Sequence, residues 1–296
     1  MGANDRISIV AASDNNYAIL LAALIKSIEV NHKTPEKIDL YVIDDGISGL
    51  NRKMINSIPD PNMISIHWHK MKDVVQGVNL PIDSSAFPQT AYLRIFSPYV
   101  VPENLEKIIY LDVDTIVQQD ISTLWRTDLG DKLFGAVLDV QETVSCSWAG
   151  IPNYKELGIP ADTKYFNSGL LVINTIEWRK LDVTSRVIKC LHDNIIHVNY
   201  ADQYGLNAVL FNQWFELDPR WNWFAFKEAE NPFIIHFLDI KPIFTTYASY
   251  PPFKDEFFKY LRLTPFKNFR PIGHYGRMRV KVYNKLKKYA LKMFAK

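Results

Sequence analysis

The chain has 296 residues, 48% of them hydrophobic, and a formal charge of +2, a size and composition that bury a large core. The longest apolar stretch near the N-terminus, residues 18–25, is far short of the ~20 a membrane span needs, and the two cysteines, Cys146 and Cys190, form no metal-binding spacing. Charge is unevenly spread: all 32 acidic residues fall at or before Glu256, whereas 12 of the 34 Lys and Arg residues follow it, so a body of −10 precedes a tail of +12.

Residues 7–12 are an apolar run closing on Ser13-Asp14-Asn15-Asn16, which reads as a buried strand and a polar loop. Residues 18–30 have helical spacing, and residues 38–43 form a second strand ending at Asp44-Asp45-Gly46. Residues 50–58 read as helix and 64–68 as a third strand. This alternation predicts a mainly parallel sheet covered by helices, whose ligands sit at the carboxyl ends of the strands. Further strands are expected at 105–111, running into Asp112-Val113-Asp114, at 134–138, running into Asp139, at 170–173 and at 233–237. Residues 140–163 read as a long loop or lid, 182–194 and 203–211 as helices, and 214–226 as an aromatic-rich irregular segment. At the end of the chain, Val282, Leu286, Tyr289 and Met293 line one helical face. Lys281, Lys285, Lys288 and Lys292 line the next, which makes a basic amphipathic helix.

Asp112 and Asp114 are two residues apart, a spacing that puts both side chains on one side of a strand. Adjacent carboxylates repel unless a cation sits between them, and hard cations take carboxylate and phosphate oxygens together. The same spacing also occurs in solvated loop starts. His236, in the apolar run 233–237, reads on its own as a core histidine. His67, His69 and His197 read as structural, and Trp214, Trp221 and Trp223 as core aromatics.

The run Tyr110-Leu111-Asp112-Val113-Asp114-Thr115-Ile116-Val117, continuing through Leu124-Trp125 to Asp128-Leu129-Gly130-Asp131, resembles the metal-binding segment of family 8 glycosyltransferases. That family includes bacterial lipopolysaccharide galactosyltransferases and glycogenin. Other blocks match in order over residues 7–266. They are Ala11-Ala12-Ser13-Asp14-Asn15-Asn16-Tyr17, Tyr41 to Ser48, Thr90-Ala91-Tyr92-Leu93-Arg94, Tyr165-Phe166-Asn167-Ser168-Gly169, Asp202-Gln203, Ile235-His236-Phe237 with Lys241-Pro242, and Thr264-Pro265-Phe266.

The resemblance implies a GT-A fold: a Rossmann-like, mainly parallel sheet flanked by helices, catalytic over residues 1–266, with a basic tail over 267–296. It implies a bacterial retaining hexosyltransferase that moves galactose or glucose from a UDP-sugar to a hydroxyl of a glycan, glycolipid or glycoprotein, as in polysaccharide or lipopolysaccharide biosynthesis. Asp112, Asp114 and His236 would hold Mn²⁺, with Mg²⁺ as the alternative, since imidazole beside carboxylate favours manganese. Ala12, Asp14, Asn16, Tyr17, Arg94, Asp112, Val113, Asp139, Asn167 and Lys241 would bind the donor, with Asn15 competing for the place of Asn16. Gln203 and Asp202 would flank the reacting carbon.

The chain departs from the pattern in three places. Tyr204 stands where many relatives have a third carboxylate, which excludes a double displacement through that group. The His236–Lys241 connection is short and lacks Gly, and the first loop has an extra residue. These departures motivate an alternative, a UDP-sugar-binding protein without turnover that docks on a membrane. A nucleotidyltransferase would need a Gly-rich basic loop that residues 11–17 lack. The tail suits an anionic membrane surface, no nucleic-acid module is present, and the expected location is cytoplasmic, peripheral on the inner face of the cell membrane.

Overall fold

The computed structural model describes residues 6–85 and 87–294. The first half contains β1 (Arg6–Asp14), α1 (Ala18–Asn31), β2 (Lys37–Asp45), α2 (Gly49–Asn56), β3 (Ile64–Lys70), α3 (Met71–Val74), a 3-10 helix (Gln89–Tyr99), β4 (Lys107–Leu111), β5 (Thr115–Val117), α4 (Ile121–Trp125) and β6 (Phe134–Thr143). The second half contains β7 (Lys164–Asn174), α5 (Thr175–Lys180), α6 (Val183–Asp193), α7 (Ala201–Leu210), β8 (Trp214–Glu216), a short 3-10 turn (Pro219–Asn222), β9 (Trp223–Phe224), β10 (Ile234–His236), α8 (Pro251–Leu261) and α9 (His274–Phe294).

Seven strands form one sheet in the order β3-β2-β1-β4-β7-β6-β8, and β5-β10-β9 form a second, smaller one. Pairing is parallel from β3 through β4 and again at β6–β8, but β7 runs antiparallel to both of its neighbours. The main sheet is therefore mainly parallel, as expected, and its one reversed strand is β7. Strand residues alternate between two cores, as a doubly covered sheet requires. Ile7, Ile9 and Ala11 of β1, Ile109 and Leu111 of β4, and Leu170 and Val172 of β7 face one core with α1 and α8. Val10, Ala12, Ile108, Tyr110, Leu171 and Ile173 face the other, with α6 and α7.

The chain turns to opposite sides after β1, with β2 on one flank and β4 on the other, so the switch in strand order lies at the β1–β4 boundary. Because β7 is reversed, with Leu170 paired to Leu111, its early residues Asn167, Ser168 and Gly169 arrive at the same end as the carboxyl termini of β1 and β4. Three of the sequence blocks singled out above meet there for that reason.

The segment expected to be a loop or lid is more anchored than that. β6 extends to Thr143, the Val144 N–H bonds Thr163 O at 2.9 Å, and Val144, Ile151 and Ile159 are buried in the second core. At the C-terminal end, Ile272 and Thr245 bond across a short bridge, and Arg277 Nη1 reaches Thr246 Oγ1 at 3.3 Å, tying the start of α9 to the body. Val282 and Leu286 on α9 are exposed. The side chains of Lys281, Lys288, Tyr289, Lys292 and Met293 lie outside the described residues, so the expected faces of the tail are described only at Val282, Lys285 and Leu286. Among the described residues no helix is long and apolar enough to cross a membrane.

Candidate active site and metal centre

β4 ends at Leu111, so Asp112, Val113 and Asp114 occupy the connection to β5. The two carboxylates converge, but strand alternation alone does not bring them together. The Asp112 N–H still bonds Gly169 O at 2.8 Å, Val113 turns into the core, and the Phe237 N–H bonds Asp114 O at 2.9 Å. These anchors aim both carboxylates at one point. His236, at the end of β10, brings its Nε2 to 3.3 Å from Asp114 Oδ1 and 3.9 Å from Asp112 Oδ2. One ligand atom from each of the three lies within 4.8 Å of the others. Two anionic oxygens and one imidazole nitrogen around a shared point suit a divalent cation. Gly169 beside them keeps the space open, since a Cβ there would sit 2.4 Å from His236 Cε1 and 3.0 Å from Asp112 Oδ2.

Cations of the protein already balance these carboxylates. Lys241 Nζ pairs with Asp114 and donates to Phe237 O at 2.6 Å. Burial pushes the Asp114 carboxyl up, but Lys241 and His236 outweigh it and hold it well below the usual range. The short His236–Lys241 connection therefore still delivers the ammonium, onto Asp114. Arg94, buried on the first 3-10 helix, bridges two anions: Nη2 lies 3.2 Å from Asp112 Oδ1, and Nε lies 2.9 Å from Asp202 Oδ2. Its Nη1 donates to Ser168 Oγ at 2.9 Å, and the Tyr110 hydroxyl also donates to Asp112 Oδ1, at 2.9 Å. Burial raises Asp112, and the neighbouring Asp114 adds to that against the pull of Arg94.

Asp202 and Gln203 open α7 and are both buried. Burial pushes Asp202 up to about 7 despite Arg94, with Asp112 adding to the rise. Its Oδ2 lies close to Arg94 but accepts no aligned hydrogen bond. Gln203 Oε1 accepts from the Ser168 N–H at 2.9 Å and from Ser168 Oγ at 3.2 Å, while its Nε2 donates to Asp139 Oδ2 at 2.8 Å. Asn167 Nδ2 donates to the same oxygen at 3.0 Å. Tyr204 is buried in the second core with its hydroxyl on Asn153, pointing away from this group.

At the end of β1, Ala12 is buried, and Asp14 Oδ1 accepts from the Tyr17 N–H at 3.0 Å. Asp14 is raised by burial and by the nearby Asp45. Asn16 leans on Asp14 Oδ2 at 3.4 Å. Asn15 is committed elsewhere, accepting from the Ser48 N–H and from Asn51 at 2.9 Å each, which leaves Asn16 on the Asp14 side. The Tyr17 hydroxyl, raised by burial, also feels Lys241 and Asp114, which places this loop beside the Asp114–Lys241 pair.

One residue escaped the sequence reading. Asn222, 1% exposed at the end of the second 3-10 turn, accepts from His236 Nδ1 at 2.8 Å and donates to Asn167 Oδ1 at 2.8 Å. It lies in the aromatic-rich segment 214–226, where nothing in the residue pattern marks it.

A family model described as Glycosyl transferase family 8 matches residues 8–242. General stress protein A of Bacillus subtilis (strain 168) is 29% identical over 289 residues, covering 89% of this chain and 96% of that protein. A lipopolysaccharide 1,2-glucosyltransferase of Escherichia coli (strain K12) is 24% identical over 205 residues, covering 69% of this chain and 58% of that protein. Among solved structures, galactosyltransferase LgtC in complex with donor and acceptor sugar analogs superposes with a TM-score of 0.72 at 23% identity, covering 88% of this chain and 96% of that one. The solved structure supports the fold, and the family match spans most of the chain, including both carboxylates and His236: the protein belongs to glycosyl transferase family 8 and is a glycosyltransferase of GT-A fold.

Proposed function

We propose that this glycosyltransferase moves galactose or glucose from a UDP-sugar, with retention of configuration, to a hydroxyl of a glycan, glycolipid or glycoprotein. The observation that carries the reading is the convergence of Asp112, Asp114 and His236 Nε2 on one point, beside a lysine and an arginine. These three residues would hold Mn²⁺, or Mg²⁺ in its place. The ion would supply a Lewis acid that absorbs the negative charge of the departing diphosphate. Hexose donors suit the relatives named a glucosyltransferase and a galactosyltransferase.

The chain's own residues divide the remaining work. Ala12, Asp14, Asn16 and Tyr17 lie at the end of β1, where they would meet the uridine, and Val113, its side chain turned into the core, would meet the donor through its backbone. Lys241, now on Asp114, would meet the diphosphate as a point charge. Arg94 braces Asp112 and Asp202 against each other, and Asp139, Asn167 and Asp202 would hold sugar hydroxyls. Gln203 would present its amide oxygen to the anomeric carbon by giving up the longer of its two contacts, the 3.2 Å one to Ser168 Oγ. As the bond from the anomeric carbon to phosphate breaks and the bond to the acceptor oxygen forms, the released phosphate oxygen takes the acceptor's proton. With Tyr204 turned away, no side chain at that position can form a covalent sugar intermediate.

Residues 1–266 are proposed as the catalytic unit and 267–296 as a basic tail that contacts an anionic membrane surface, with exposed Val282 and Leu286 among its lysines. Each Lys or Arg near such a surface contributes about 1 kcal/mol. A cytoplasmic enzyme, peripheral on the inner face of the membrane, follows from that reading.

The test is a donor screen by UDP release with Mn²⁺ present. UDP-galactose or UDP-glucose is expected to turn over, and Asp112→Asn and Asp114→Asn should each lose at least about a hundredfold in kcat, the scale of one displaced or missing charge-stabilising group. Undiminished turnover in both variants overturns the metal assignment. Donor binding with no turnover on any acceptor would favour the inactive alternative.

A further inference from the structure

A chain of buried amides links the sugar end of the site to the metal end, and its polarity is set by groups that cannot reverse. Asp139 carboxylate only accepts. It takes the Val140 N–H on Oδ1 at 2.6 Å, and both Asn167 Nδ2 and Gln203 Nε2 on Oδ2. The Gly169 backbone N–H only donates, and it donates to Asn167 Oδ1 at 2.9 Å. Asn167 is therefore fixed from both ends, with its NH₂ toward Asp139 and its oxygen toward Gly169 and Asn222. Asn222 must then point its own NH₂ at Asn167 Oδ1, because two amide oxygens at 2.8 Å would repel. That leaves Asn222 Oδ1 facing His236 Nδ1 at 2.8 Å. Asn222 and His236 are 1% and 2% exposed, so no solvent stands ready to replace a lost partner.

We propose that Asn222 is the positioning residue of the metal centre. It holds a proton of His236 on Nδ1, so that Nε2 is the nitrogen left to a cation between Asp112 and Asp114, and its orientation is dictated through Asn167 by Asp139. The tautomer thus imposed is the minor one of free imidazole, which tends to carry its proton on Nε2. Left unpartnered, His236 would more often present an N–H to the cation position and could not ligate from there. The nitrogen that remains free is set by the hydrogen bond the other one makes. The two ends of the site are joined by this relay: the carboxylate proposed to touch the sugar also orients the imidazole proposed to touch the metal. The inference rests on the metal assignment proposed above, but its first readout needs no metal.

The experiment is ¹⁵N NMR of histidine-labelled, metal-free protein at alkaline pH, where free imidazole is neutral, with the His236 signals assigned from His236→Gln. The expected result is a wild-type His236 that keeps a proton on Nδ1, whether or not Nε2, 3.3 Å from Asp114 Oδ1, also carries one. Asn222→Leu, close in size but without an acceptor, should shift His236 toward the Nε2–H form. It should also weaken Mn²⁺ binding, read calorimetrically with UDP present, by about 10–100-fold, the usual loss when a ligand's outer partner is removed. Asn222→Asp, which keeps an acceptor for Nδ1–H but sets its other oxygen against Asn167 Oδ1, should restore the Nδ1–H while recovering the affinity only in part. A wild-type His236 without a proton on Nδ1 overturns the proposal without any variant having to fold, and so does an Asn222→Leu protein whose Nδ1–H is unchanged. If the tautomer behaves as expected but Mn²⁺ does not bind wild-type protein, the relay stands and the metal assignment fails.

Discussion

Gly169→Ala is the smallest change that should disable the site. The added Cβ would stand 2.4 Å from His236 Cε1 and 3.0 Å from both Asn167 Oδ1 and Asp112 Oδ2. Carbon atoms pack at about 3.5–4.0 Å, so the imidazole would have to retreat by about 1 Å or more. It has little room to do so: the ring is buried, its Nδ1 is held by Asn222, and its backbone is paired to β5 and β9. Overpacking of this kind costs about 1–3 kcal/mol, and a displacement of about 1 Å at reacting groups costs about a hundredfold in rate. UDP release with Mn²⁺ should therefore show kcat reduced by roughly two orders of magnitude, and thermal unfolding should show a lower Tm with little added protection from Mn²⁺. Gly135→Ala is the control. Its Cβ would meet Leu129 Cδ2 at 2.9 Å and Leu217 side-chain carbons at 3.3 Å, the movable ends of side chains remote from the carboxylates. It should lower Tm but spare kcat. A Gly169→Ala enzyme with wild-type kcat and wild-type Mn²⁺ response would refute the close packing of His236 against β7.

Other measurements follow from the same geometry. Asp202 is pushed up to about 7, chiefly by burial, so the folded chain binds its proton more tightly than the unfolded chain, whose value is near 3.9. The stability it contributes is complete below that ordinary value and is lost as pH rises through about 7. In metal-free protein, the denaturation midpoint of Asp202→Asn relative to wild type should therefore improve from about pH 5 to about pH 8, and a constant difference would count against the shift. Lys241→Met removes the ammonium that now occupies Asp114, so Mn²⁺ binding without nucleotide should tighten while UDP binding in Mn²⁺ weakens. Each change should be about tenfold, as expected for one charged hydrogen bond, and calorimetry showing both affinities moving the same way would contradict the exchange. Deleting residues 279–296 removes seven Lys and Arg residues and should abolish co-sedimentation with phosphatidylserine vesicles at low salt while leaving turnover of a soluble acceptor intact. Unchanged co-sedimentation would refute the tail's role.

The fold was legible wherever burial writes itself into local pattern. The uncharged run of β1 and the helical spacing of α1 specify their elements directly, and Asp112, Asp114, Arg94 and His236 were legible as ordered motifs. The direction of β7 was not, because apolar periodicity is the same for parallel and antiparallel strands, and only the pairing of Leu111 with Leu170 reveals it. The first 3-10 helix carries Pro98 inside it and α8 begins on Pro251-Pro252, so both hide behind residues that usually mark breaks. Asn222 was invisible for a different reason: its role depends on His236 and Asn167, which meet only after two sheets have packed. The partners of Lys241 and Gln203 were likewise beyond reach, since the sequence names a side chain but not the neighbour it holds before substrate arrives.

The cluster of Asp112, Asp114 and His236 straddles two sheets, and its last member comes from a three-residue strand more than a hundred residues further along the chain. A chain emerging from the ribosome would therefore carry its acidic pair exposed long before the imidazole appears to complete the set. Under the proposed metal assignment, an ion held by the trio would fasten the later strand to the earlier sheet, so its removal should loosen the strand that carries His236.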